Sequence, residues 1–421
     1  MILRTTKNKD SIYTKIYPII SKILIFLSIL FAFTMPIHPD IGRKVITLAF
    51  IILVFTVDYK KLYNLIISNK FLIAFTLFVI FSALSILWSD NTKEATLQVR
   101  GMLKYWYFPT LILISIVEKK HIKYLIYAFL AGMFINELLS YSIYFYHIKT
   151  FLGQTLTIVS YVPFQASHME YSVFVSLSIF LTFYYGLKIK NYILKIILLL
   201  IGIGMLILLF LLVGRTGQLG FVLTATILIL IYLRKNIKLF ILSLLIIFSI
   251  LFGAFNYSKT FHNRVMQTFN QLKNFKNNSE LGIRLSSYLI IPDLLNSTNF
   301  IYGVGLGDSR KITNKITITK YGKNSYFKSQ KGKLHQTFLT IFHSLGIIGF
   351  LLFLYLYYIL ISTKIKDSNI KFIQYTFGIS ILVPLMSNEL FGQREIMLLY
   401  SLFASIIMVA YSKEIKISNT K

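Results

Sequence analysis

The chain alternates between long apolar runs and short polar breaks that carry lysine. Runs such as Ile193–Val213 and Ile237–Phe252 have the length a helix needs to cross a hydrocarbon core, roughly 20 residues. The pattern predicts twelve spans, over 18–36, 43–57, 71–88, 105–117, 122–146, 171–187, 192–213, 217–233, 238–256, 337–361, 372–388 and 395–411. The first run, Pro18–Met35, is too long for the core of a cleavable signal and reads as a first span. One stretch departs from the rhythm. The ninth and tenth predicted spans are separated by the 80 residues of 257–336. That stretch is expected to hold a small folded subdomain, with short amphipathic helices, a Gly-rich turn at Gly303–Gly307 and a mobile polar segment, Lys311–Lys333. The expected organisation is thus 1–256 (nine spans), 257–336 (loop subdomain) and 337–421 (three spans and a tail).

Composition agrees with the pattern. Of 421 residues, 56% are hydrophobic and 14% charged, and the mean hydropathy is +0.69, which excludes a soluble domain and implies an all-α polytopic membrane protein. Without cysteine there are no disulfides or thiolate metal sites. The formal charge of +29 raises nucleic acid as a partner, but the cations sit between the spans and form no single basic face, so none is expected. With the N-terminus inside, the cytoplasmic breaks are short and basic. They include Lys60, Lys61 and Lys70, then Lys119, Lys120 and Lys123, and later Lys364, Lys366 and Lys371. Both termini then lie in the cytoplasm, and the long loop lies outside a bacterial inner membrane.

Arginine does not follow lysine. Of nine arginines, Arg4 and Arg234 fall on the expected inner side, and Arg43, Arg100, Arg215, Arg264, Arg284, Arg310 and Arg394 on or near the outer one. A codon bias toward lysine would act on both sides alike, so the skew points to a need for guanidinium. Its planar fork grips phosphate oxygens two at a time, where an ammonium acts as a point charge.

Three motifs fall on that outer side. Val213-Gly214-Arg215-Thr216-Gly217-Gln218-Leu219 gives Arg-x3-Leu at a membrane edge, and Leu281-Gly282-Ile283-Arg284-Leu285-Ser286-Ser287-Tyr288 lies in the long loop. His335-Gln336, nine residues, then Gly346-Ile347-Ile348-Gly349 opens the tenth span. In order and spacing these resemble the O-antigen ligase family, whose relatives include O-antigen polymerases and protein O-oligosaccharyltransferases. The resemblance implies a GT-C-like, metal- and cofactor-independent glycosyltransferase. Such an enzyme moves an assembled glycan from undecaprenyl pyrophosphate to a hydroxyl on lipid A–core. It also implies Arg215 and Arg284 at the pyrophosphate, His335 in catalysis, and Arg100, less specifically, with Lys104 near it, as further donor contacts.

The chemistry needs such residues. Cleaving a glycosyl–pyrophosphate bond builds negative charge on the leaving group, which fixed cations in a dry site stabilise. A neutral imidazole at His335 accepts the acceptor hydroxyl's proton, or only positions that hydroxyl. Gln336 is a candidate substrate contact. So are His168, beside Glu170, and Arg394, near Asn388 and Glu389, although both clusters read more simply as solvated span ends. His343 reads as a helix contact, and Gly346 and Gly349 as close-packing positions. No His or carboxylate spacing suits a metal. The ligase reading leads, with polymerase and protein O-oligosaccharyltransferase sharing its donor. A transporter of lipid-linked glycan is the reading from another class, and no inverted repeat or broken pair of helices favours it.

Overall fold

The computed structural model describes residues 12–148, 150–151, 154–155, 161–163, 167–273, 287–322, 332–389 and 393–418. The first half runs α1 (Ile12–Ile37), α2 (Pro39–Thr56), α3 (Tyr59–Ser68), α4 (Lys70–Leu84), α5 (Thr92–Met102), α6 (Phe108–Ile116), α7 (Ile122–Tyr146) and α8 (His168–Lys188). Then follow α9 (Tyr192–Leu211), α10 (Arg215–Leu233), α11 (Ile237–Tyr257), α12 (Lys259–Lys273), α13 (Ile291–Ser297), α14 (Ser309–Tyr321), α15 (Thr337–Ser362), α16 (Ser368–Ser387) and α17 (Arg394–Ser418). A two-residue antiparallel pair, Thr150–Phe151 with Gln154–Thr155, is the sole sheet among the described residues. The protein is an all-α, multi-pass membrane protein.

Short polar residues start the helices by taking up backbone N–H groups that the first turn leaves open. Asp58, Asn69, Asn91, Asn191, Asn236 and Asp367 each accept such a bond. Among the described residues ten helices are long and apolar enough to cross a membrane, against twelve expected. The two others are present as helices of a different kind. The second, α2, carries Asp40, Arg43 and Lys44 in its opening turns. The fourth is interrupted by a π-helical turn at Leu103–Tyr107, which joins α5 to a nine-residue α6.

Between lipid-facing helices the surrounding tails are as apolar as leucine, so packing rather than water exclusion holds the bundle together. At its centre Trp106 is fully buried and meets Phe75, Phe78, Phe353 and Tyr400. The last helix, α17, is enclosed along most of its crossing, whereas α11 has no buried residue and stands at the bundle's margin. At one end the lysine-bearing breaks come together, with Lys119 on Asp367 at 3.3 Å and Lys188 on Asn369 at 2.7 Å.

The long loop covers the other end. Its helices α13 and α14 close on a small core of Ile290, Leu294 and Leu334, and Lys320 Nζ donates to Asp293 at 2.7 Å. That hydrogen bond raises the Lys320 ammonium pKa. Of the segment expected to be mobile, Lys311–Tyr321 belongs to α14, and 323–331 lie outside the described residues. The glycine turn docks rather than hangs free. Val304 and Gly305 N–H donate to the carbonyls of His343 and Ser344, and Ile347 and Ile348 N–H donate to those of Phe300 and Ile301. These four bonds form because α15 is broken at Gly346 (φ 62°, ψ −165°), a conformation open to glycine alone. Gly346 is therefore not a helix-packing position but the point at which α15 is broken.

Candidate functional site

The Arg215 motif is built by glycines whose partners lie far away in sequence. A Cβ on Gly214 would stand 2.3 Å from the His168 carbonyl, and one on Gly217 would stand 2.1 Å from that of Ser172. The turn carrying Arg215 therefore presses against the first turn of α8, and Gly217 N–H donates to Ser172 Oγ at 3.0 Å. Gln218 donates to the carbonyls of Leu209 and Leu212, closing the open end of α9. Arg215 is left at the N-terminus of α10 with its guanidinium directed across to α12, where Nη2 donates to Gln267 Oε1 at 2.9 Å.

Arg264 reaches the same oxygen at 3.1 Å, so Gln267 joins two guanidinium groups. Together they stand over a groove of about 380 Å3 walled by Phe210, Val222, Leu251 and Phe269. Arg264 was not among the expected site residues. The apolar spacing of Phe261, Val265, Phe269 and Leu272 marks α12 as a helix lying apolar side down, and Arg264 lines the groove with them. Arg284 lies outside the described residues.

His335 stands where the chain turns from the loop into α15, half-buried and in the left-handed region (φ 51°). Three tethers hold that turn. Leu334 N–H donates to Glu389 Oε1 at 3.0 Å, Thr337 Oγ1 to the Asn388 carbonyl at 2.6 Å, and Leu339 N–H to Gln336 Oε1. The Gln336 carbonyl is thus spent on capping α15, which leaves only its amide nitrogen for a substrate. Glu389 is buried and also takes Arg310 Nη2 at 3.0 Å, while Arg310 Nη1 reaches Glu94 at 3.4 Å. Asn388 and Glu389 are therefore no solvated span end but the clamp behind His335. Removing one partner of such a pair leaves the other carboxylate buried and uncompensated. Arg310→Ala is expected to cost about 1–3 kcal/mol locally and to expose residues around 332–336 to protease. An unchanged digestion pattern would remove the clamp from the argument.

Other expected contacts resolve differently. Arg394 Nε meets Glu395 at 2.8 Å and Nη1 meets both Asp40 oxygens at 3.2 Å, so Arg394 ties α17 to α2. His168 is half-buried and its backbone carbonyl faces Gly214, while Glu170 beside it is buried. His343 is fully buried, and its Nδ1 lies 2.6 Å from Oγ1 of Thr298, the residue that follows α13. Arg100 and Lys104 do not join Arg215: with Arg43 they line a separate groove between α2, α5 and α6.

The structure thus offers paired cations above an apolar trough and, separately, an imidazole on a tethered turn. Comparison with the curated proteins finds no match. Residues 197–354 match a family model described as O-Antigen ligase. The matched stretch runs from within α9 to beyond the break in α15 and contains Arg215, Arg264, Arg284, His335, Gly346 and Gly349. Over these residues the chain is similar to the O-antigen ligase family.

Proposed function

We propose that the protein is an O-antigen ligase of the bacterial inner membrane, which transfers polysaccharide from undecaprenyl pyrophosphate to lipid A–core on the periplasmic side. The observation that carries this reading is the Arg215–Gln267–Arg264 bridge above an apolar-walled groove. A polyprenyl chain matches the trough, and a pyrophosphate matches two guanidinium groups that already share an oxygen acceptor. Arg284 adds to this cation set on the strength of its motif. As the glycosyl–phosphate bond breaks, the bridging oxygen leaves with its electron pair on the pyrophosphate, where the fixed guanidinium charge stabilises it. The acceptor hydroxyl forms the new bond at the anomeric carbon, and His335 takes or orients its proton.

The test is a lipopolysaccharide gel of the deletion strain complemented with Arg215→Lys. Lysine keeps the charge but loses the fork, so at least about tenfold less capped lipopolysaccharide is expected, with lipid-linked polymer accumulating. A wild-type ladder from Arg215→Lys would argue against bidentate phosphate binding. In the deletion strain itself, core bearing a single repeat would make the enzyme a polymerase, and an unchanged ladder would favour transfer to protein. Because guanidinium groups perform the charge work here, transfer by purified enzyme is expected to survive EDTA. Loss reversed by Mg2+ or Mn2+ would overturn that mechanism.

A further inference from the structure

Two grooves, not one, combine cations with apolar walls, and they are made by different helices. The second, of about 350 Å3, is rimmed by Arg43, Arg100 and Lys104 and walled by Phe50, Phe108 and Ile112. Arg100 and Lys104 are exposed and have no acidic partner among the described residues, and Arg43 touches Asp40 at 3.4 Å. The π-helical turn at Leu103–Tyr107 holds Lys104 and Phe108 on one wall with Arg100, and such turns concentrate at functional positions. Cations over an apolar trough suit a phosphate-bearing lipid, because the phosphate meets the rim while the tails lie along the wall.

We infer that the Arg43–Arg100–Lys104 groove binds the phosphorylated, acyl-bearing end of the acceptor lipid, leaving the Arg215–Arg264 groove to the donor. This rests on the proposed transfer reaction and narrows its acceptor to a lipid. Joining two membrane-borne substrates requires two lipid grooves, whereas transfer onto a protein requires one. Charge complementarity commits the groove to lipid A, whose disaccharide bears two phosphates, in preference to a phospholipid with one.

The experiment uses the full-length protein in phosphatidylglycerol nanodiscs, with retained lipid read by native mass spectrometry. The probes are Kdo2-lipid A and undecaprenyl pyrophosphate. The Arg100→Gln/Lys104→Gln variant is expected to lose about tenfold or more in lipid A binding, with undecaprenyl pyrophosphate binding held within about twofold. Arg215→Gln/Arg264→Gln should reverse the pattern. Lipid A binding unchanged in the first variant, equal loss of both lipids, or lipid A retained no better than phosphatidylglycerol would overturn the assignment. If the wild type retains undecaprenyl pyrophosphate but not lipid A, the groove assignment falls and the donor reading stands. If it retains lipid A in an Arg100- and Lys104-dependent way but not undecaprenyl pyrophosphate, the donor reading falls and the acceptor groove stands.

Discussion

Replacing His335 by glycine is expected to abolish polymer transfer while leaving the chain folded and inserted. Glycine is a cleaner probe than alanine, because residue 335 sits at φ 51°. There a Cβ costs about 1–2 kcal/mol that glycine does not. The three tethers on residues 334, 336 and 337 are untouched by the change, so the turn should keep its course. What disappears is the imidazole. If it takes a proton from the acceptor hydroxyl, its loss should slow transfer by about 10^2–10^4-fold. The gel should show core-only lipopolysaccharide, lipid-linked polymer should accumulate, and protease digestion of the loop should match wild type. His335→Asn divides the two roles, because asparagine tolerates this backbone and hydrogen-bonds but takes no proton at neutral pH. Substantial activity in His335→Asn means positioning alone, and a normal ladder from His335→Gly would remove the residue from the chemistry.

The parts of this protein visible in its sequence are those set by local pattern. Apolar runs marked the spans, whereas the Asn and Asp caps that start several of them emerged only from the structure. The two spans that came out differently fail for local reasons, charge in the first turns of α2 and a π turn before α6. The arginines expected outside do gather into contacts: Arg43 and Arg100 line one groove, Arg215 and Arg264 another, and Arg310 and Arg394 each hold carboxylates. What spacing could not reveal is which arginines meet. Arg215 finds Gln267 across 52 residues, Arg310 finds Glu389 across 79, and Arg394 finds Asp40 across 354. Each pairing depends on how helices stack, which no short motif encodes. For the same reason two glycine-rich motifs could be recognised but not explained. Gly214 and Gly217 make sense only against α8, and Gly346 only against the turn at 299–305.

Gly346→Ala is therefore expected to uncouple the loop from the span and stop transfer without preventing insertion. The backbone conformation alone should cost alanine about 1–3 kcal/mol. In addition, its Cβ would stand 2.4 Å from the Ile301 carbonyl, a backbone atom that cannot swing away. The easiest relief is for α15 to become continuous. Ile347 and Ile348 N–H would then find acceptors within the helix and abandon Phe300 and Ile301. Val304 and Gly305 would lose their carbonyls at His343 and Ser344 as those turned inward, and the loop would be released. His335 opens this same helix, so straightening it re-aims the turn that bears the imidazole. Gly303→Ala attacks the break from the loop side, where its Cβ would meet the Ser344 carbonyl at 2.4 Å, and should give the same phenotype. Gly220→Ala is the matched control. Its Cβ has nothing nearer than 3.9 Å, so activity should persist and helix α10 should gain up to about 1 kcal/mol. The readouts are the lipopolysaccharide ladder and protease sensitivity around 299–305, compared across the three variants at equal membrane abundance. A wild-type ladder and wild-type protection in Gly346→Ala would show that the break does not position His335.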